Sequence, residues 1–258
     1  MTVLRSEWLK IHSVRSYRLA IAVAFGGILL GLGLAQMAAE MYESASPAQQ
    51  ARASLAELEE VVLMVPQLSL GILGVLVMTS EYTTGLIRTS LTVVPRRWPM
   101  LAGKAAVVGV IGLVTGPAVV FGTHVTCRWV IGDRFSGLYQ TAFADKLPLL
   151  VALSLTVPAF ALLGLGMGAI LRSAAGAIAL LVGLLYVIPM IVDKFPSPWS
   201  EWLGSVMFGA LPRQISGDLT TPGVYGTSLP PPVAAGLLAC YAVLPVLAGA
   251  WLLRRRDA

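Results

Sequence analysis

Leu147–Val192 reads LPLLVALSLTVPAFALLGLGMGAILRSAAGAIALLVGLLYVIPMIV, and Arg172-Ser173 is the one polar break within it. A helix rises 1.5 Å per residue, so roughly 20 apolar residues cross a hydrocarbon layer about 30 Å thick. Each side of the break therefore reads as a membrane span, Leu147–Leu171 and Ala174–Val192. So short a turn forces the two helices to be adjacent and antiparallel.

Outward from this pair, four more apolar runs have the same character: Leu19–Ala39, Val61–Ser80, Met100 (or Leu101)–Thr126 and Val233–Leu253. Hydrophobic residues make up 57% of the 258 positions and charged residues 12%, with a mean hydropathy of +0.80. Soluble domains carry about a quarter charged residues. The expected fold is an all-α integral membrane protein of six transmembrane helices, one domain over residues 1–258 with no sizeable soluble part. The basic segment before the first run also fits a secretory signal peptide, but the run is long for that core and further spans follow, so an uncleaved anchor is expected.

Charge sets the orientation. With the N-terminus inside, the inner segments hold 12 of the 18 Lys and Arg and three of the 13 acids, leaving six bases and ten acids outside. Positive charge marks the cytoplasmic side, so both termini are expected in the cytoplasm. The basic net charge of +5 is explained by this bias and calls for no nucleic-acid partner. The acidic stretch Glu40–Glu60, the mixed loop Cys127–Lys146 and the long loop 193–232 then fall outside. Within them, Pro47–Glu60 is expected to form a surface helix, and Trp199–Leu211 a re-entrant or interfacial one. Trp129, Phe135 and Tyr139 suit an interface.

The longest polar stretch on the inner side between two spans is Glu81–Lys104, EYTTGLIRTSLTVVPRRWPMLAGK. Thr83 or Thr84 offers a side-chain cap for a new helix and Pro95 stops it. Ile87, Leu91 and Val94, with Leu86 beside them, form one apolar stripe opposite Thr89, Ser90 and Thr92. From the residues, such a helix either lies on the membrane surface or docks into a partner. Leu4, Trp8, Ile11 and Val14 or Arg15, with bases between them, give the N-terminal segment a similar amphipathic pattern.

Two separate stretches carry a resemblance. Glu81, Gly85, Leu91, Pro95 and Gly103-Lys104 are spaced as in the loop after the second span of ABC-2 type transporter permeases. The opening Arg5-Ser-Glu7-Trp8-x-Lys10 followed by Ser13-Val-Arg-Ser is similar to the start of many bacterial members of that family. The resemblance is close over the first 20 residues and over 81–104, and elsewhere rests on span count and the long loop before the last span. It implies an elbow helix over 4–18 containing Glu7, Trp8 and Lys10, and a coupling segment over 81–99. In that segment Glu81, Thr84, Gly85, Leu86, Ile87, Arg88, Leu91 and Pro95 would engage a separate ABC ATPase subunit. It further implies an exporter in the bacterial cytoplasmic membrane, a homodimer or heterodimer of permeases in the lipid bilayer, with ATP and Mg bound by the partner subunit and no cofactor on this chain.

The remaining residues fit that expectation. There is no His-Glu-x-x-His pair, Gly-x-Ser-x-Gly turn or phosphate-binding Gly-x-x-x-x-Gly-Lys-Ser/Thr loop, so no catalysis is expected here. Apart from Lys104 near the start of the third run, His124 is the only Asp, Glu, His, Lys or Arg within the runs; it lies near an outer end and reads as an interface residue. Gln36 and Gln67 read as boundary residues, and Lys104 as a side chain reaching back to the head groups. A secondary carrier normally needs buried ionisable groups, which tells against that rival. An accessory or immunity membrane protein is the other alternative. Gly27/Gly31, Gly112/Gly116 and Gly164/Gly168 read as close-packing positions within one subunit. Pro66 suits a first helical turn, and Pro117, Pro158, Pro189 and Pro245 are either kinks or tolerated prolines. Cys127 and Cys240 read as apolar fillers without a disulfide; Glu81 reads from the residues as a solvated boundary charge, and with the resemblance as a partner for Arg88, Arg96 or Arg97.

Overall fold

A computed structural model describes residues 14–83, 97–217 and 229–255. Among them are six helices long and apolar enough to cross a membrane: Arg15–Ser44, Leu58–Ser80, Met100–Ile131, Phe143–Leu171, Ala174–Val192 and Pro231–Arg255. This is a multi-pass, all-helical membrane protein. Most helices overrun the expected apolar limits because backbone hydrogen bonding continues after the side chains turn polar. The first span begins at Arg15, so the last turn of the expected 4–18 elbow is part of that span. Elbow residues 4–13, with Glu7, Trp8 and Lys10, lie outside the described residues, as do 84–96 of the coupling segment.

The fourth span is the central post. Buried residues make up 83% of its most apolar window, against 28% for the first span and 22% for the fifth and sixth. It packs on the second, third and sixth spans, while the first leans on the second and third. Glycine makes these approaches possible. A Cβ on Gly164 would stand 2.1 Å from the Gly71 carbonyl oxygen, and one on Gly74 would stand 2.1 Å from that of Ala161. The second and fourth spans thus touch backbone to backbone, in the manner of small-residue packing in membranes. On the third span, a Gly112 Cβ would lie 2.6 Å from Pro158 Cα and a Gly116 Cβ 2.5 Å from the Ser154 oxygen. The small-residue pairs therefore work within the subunit, as their spacing predicts. Pro158 seats against Gly112 and Pro245 against Gly166, so these prolines act as packing surfaces. Around Pro189 the fifth span widens into a π turn, Gly183–Val187, which accommodates the ring where it would crowd the preceding turn.

Between the fourth and fifth spans, Arg172 takes a left-handed φ of 53°, and Ser173 Oγ accepts from the Gly176 N–H at 3.2 Å. The chain reverses there within two residues. No disulfide joins the cysteines: Cys127 is buried and Cys240 is exposed on the sixth span. In detergent, an apolar maleimide is expected to modify Cys240 rapidly and Cys127 only after unfolding; mass spectrometry of the two peptides measures this directly.

Several expectations are corrected by packing. Pro47–Glu60 is not a surface helix. Pro47–Gln50 is a single turn held by a Ser46/Gln49 capping box, and Leu58–Val62 runs into the helix Met64–Thr83, because Glu57 and Glu59 find partners inside the bundle. Lys104 does not reach the head groups: it is 1% exposed, with Nζ donating to the Val77 carbonyl at 3.3 Å. Gln67 is no boundary residue, since it is buried and donates to Thr156 Oγ1 at 2.8 Å. Trp129 is exposed as an interface ring should be, whereas Tyr139 is buried.

The segment Trp199–Leu211 turns into the bundle at its C-terminal end, where Phe208 and Leu211 are buried. The helix Trp199–Ser205 stays against the end of the fifth span, while a 3-10 turn Phe208–Ala210 leads into a helix Leu211–Ser216 that packs on the fourth and sixth spans. Fully buried Phe208 sits 5.1 Å from the Phe160 ring and 5.6 Å from Tyr241. Tyr241 is ten residues into a helix that starts at Pro231, about 15 Å along it. Phe208 thus reaches toward the middle of the bundle.

Candidate functional site

The bundle has two polar ends. At the basic end, where the first and sixth spans leave the described chain, the second span finishes at Thr83 and the third starts at Arg97. These are the two stems that residues 84–96 connect in sequence. The stems are tied to the bundle by polar contacts, one of them fully buried. Tyr17 of the first span shares a 3.0 Å hydrogen bond with Ser80 Oγ, and Lys104 of the third reaches the backbone of the second. The Arg172 guanidinium lies 5.2 Å from the centroid of the Tyr82 ring, a cation–π contact that joins the turn between spans four and five to the same stem. Glu81 sits on this last helical stretch, with its side chain outside the description. Thr84, Gly85, Leu86, Ile87, Arg88, Leu91 and Pro95 likewise fall outside it, as does any ion pair from Glu81 to Arg88 or Arg96.

At the opposite, acidic end the structure assembles a cluster that the sequence reading did not assemble. Glu59 Oε1 contacts His124 Nδ1, and Glu59 Oε2 accepts from the Tyr139 hydroxyl at 2.9 Å. That hydroxyl also accepts from the Leu58 N–H at 3.1 Å, satisfying one of the free donors at the start of the helix. Burial, followed by the nearby Glu59 carboxylate, pushes the Tyr139 phenol well above its ordinary value, so it remains a donor. Beside it, Glu57 pairs with Lys146 and, at 3.2 Å, with Arg213 Nη2, while Arg213 Nε reaches Glu60 Oε1 at 2.7 Å.

His124 is therefore not an interface residue. Its side chain is 4% exposed, and its Nε2 is buried without a hydrogen-bond partner. The ring borders a cavity of about 10 Å³, shared with Glu57, Glu59, Tyr139 and Lys146, about the room of one water. The sequence signal was present in two parts: an acid-rich run, Glu57 to Glu60, at a helix start, and a histidine near the end of another span. Nothing local joined them, because 65 residues separate Glu59 from His124 and 156 separate Glu57 from Arg213.

A third feature is an apolar groove of about 450 Å³ between the first, second and fifth spans, lined among others by Leu19, Val23, Leu68, Ile72 and Tyr186 and by no charged side chain. No group of three or more His, Cys, Asp or Glu among the described residues is arranged to hold a metal. No protein-family profile matches the chain, and no curated protein is significantly similar to it.

Proposed function

We propose that this chain is the transmembrane permease subunit of an ATP-driven ABC-2 type exporter, moving a hydrophobic or amphipathic substrate outward across a bacterial cytoplasmic membrane. The observation that carries the reading is the pair of stems at the basic end. The resembling stretch Glu81–Lys104 spans the connection between two membrane helices, and those helices are braced by Tyr17, Lys104 and Arg172. A push on the segment between them would be delivered to the second and third spans, and through Gly74 and Gly112 to the central fourth span. The uncharged groove suits apolar cargo better than ionic cargo.

On this reading ATP and Mg bind a separate ATPase subunit, two permeases form a homodimer or heterodimer, and Glu81, Thr84, Gly85, Leu86, Ile87, Arg88, Leu91 and Pro95 meet the ATPase. The test is co-purification with an ATPase bearing Walker motifs, sought first among the neighbouring genes, then assay in proteoliposomes. Substituting Glu81→Ala and Gly85→Leu is expected to abolish export while the protein stays in the membrane and the ATPase still turns over. Export retained with both positions changed would refute the assignment.

One observation favours a second reading. Glu59 and His124 are a buried ionisable pair of the kind that secondary carriers use, which weakens the sequence argument against a carrier. The pair lies at one end of the bundle, whereas coupling sites in carriers sit near the midplane. Transport that persists without any ATPase would establish the carrier.

A further inference from the structure

The acidic end gathers Glu57, Glu59, Glu60, His124, Lys146 and Arg213 into one set of pairings. Glu57 and Glu60 lie at the entry of the second span, Lys146 at the start of the fourth, and Arg213 on the segment that turns into the bundle. One guanidinium thus joins that segment to the second span through two carboxylates, with the Arg213 and Glu57 side chains only 12% and 9% exposed. Below Arg213 the segment presents Phe208 and Leu211, both fully buried among Val75, Phe160, Leu163 and Leu238. We propose that Arg213 is a latch that seats Trp199–Ser216 as a plug in the acidic end of the bundle, and that its release uncovers the aromatic layer of Phe160, Phe208 and Tyr241.

The charge distribution favours release over collapse. Without the guanidinium, Glu57 keeps Lys146, and Glu59 keeps His124 and Tyr139. Glu60, 31% exposed, is close enough to solvent to rehydrate. A buried carboxylate stripped of every partner would disrupt its surroundings, but none is left in that state. Only the plug loses an anchor, and it keeps a weaker one in the Val206 carbonyl, which accepts from the Tyr241 hydroxyl at 3.0 Å. That this opening is the outward step of a transport cycle rests on the exporter reading; the latch itself does not.

The full chain in detergent, carrying Cys240→Ala and Ser205→Cys, tests the latch. Ser205 is buried, and its hydroxyl donates only within its own helix, to the Trp202 carbonyl, so the thiol is a mild change. Adding Arg213→Gln is expected to speed maleimide labelling at position 205 by about tenfold or more, with Cys127 still protected. Position 205 staying equally protected would overturn the latch. Simultaneous exposure of Cys127 would overturn it too, because the whole acidic end would then have opened. A second arm adds the ATPase partner: faster labelling at 205 during turnover supports the plug as the outward gate, and an unchanged rate overturns that role while leaving the latch. A missing ATPase partner, by contrast, removes the exporter reading alone.

Discussion

Gly164→Ala is expected to lower the stability of the purified protein by about 3 kcal/mol or more, measured as the thermal unfolding midpoint in detergent. The added methyl would lie 2.1 Å from the Gly71 carbonyl oxygen and 2.9 Å from its carbon. Both atoms belong to a helical backbone, so no side chain can rotate away. The second and fourth spans must separate, and with them the densest contact in the bundle loosens. Gly33→Ala is the matched control. Nothing lies within 4 Å of its added methyl, and alanine favours the helix over glycine by roughly 0.5–1 kcal/mol, so its midpoint should hold or rise. A midpoint for Gly164→Ala that holds or rises with that of Gly33→Ala would show that helix propensity, and not the backbone contact, governs both positions.

The same pair of spans shows what was legible in the sequence. Apolar length alone gives six spans, and the glycine spacings announce close approach, because both signals are local along the chain. Helix ends drift outward, from Ala39 to Ser44 in the first span and from Thr126 to Ile131 in the third, since backbone hydrogen bonding does not stop where hydropathy does. Partnership between distant polar groups has no such local signature. Lys104 reads as a snorkelling lysine until the Val77 carbonyl is seen beside it, and Gln67 as a boundary residue until Thr156 is. The segment Trp199–Leu211 was half legible: it reads as either re-entrant or interfacial, and only Phe160 and Tyr241 decide that Phe208 turns inward. The acidic cluster was least legible, because Tyr139 read as an interface ring and His124 as a boundary histidine, each plausible by itself.

That cluster carries the other large expected effect. Glu59→Ala is expected to cost about 3–5 kcal/mol, the range found when one member of a buried charged network is removed. The carboxylate faces two partners, His124 Nδ1 and the Tyr139 hydroxyl, with the glutamate and histidine side chains 5% and 4% exposed. Alanine strands both. The imidazole, whose Nε2 already lacks a hydrogen-bond partner, would then be buried with neither nitrogen satisfied. Replacing all three members with apolar groups of similar shape, Glu59→Leu with His124→Phe and Tyr139→Phe, leaves one donor, the Leu58 N–H, in need of a partner. The triple variant should therefore recover most of the loss, because the penalty belongs to the uncompensated polar groups more than to the missing attraction. Unfolding midpoints for wild type, single and triple variants decide the matter. If the triple variant is no more stable than Glu59→Ala, the cluster is held by its mutual attraction, and the buried charges at the acidic end stabilise the fold outright.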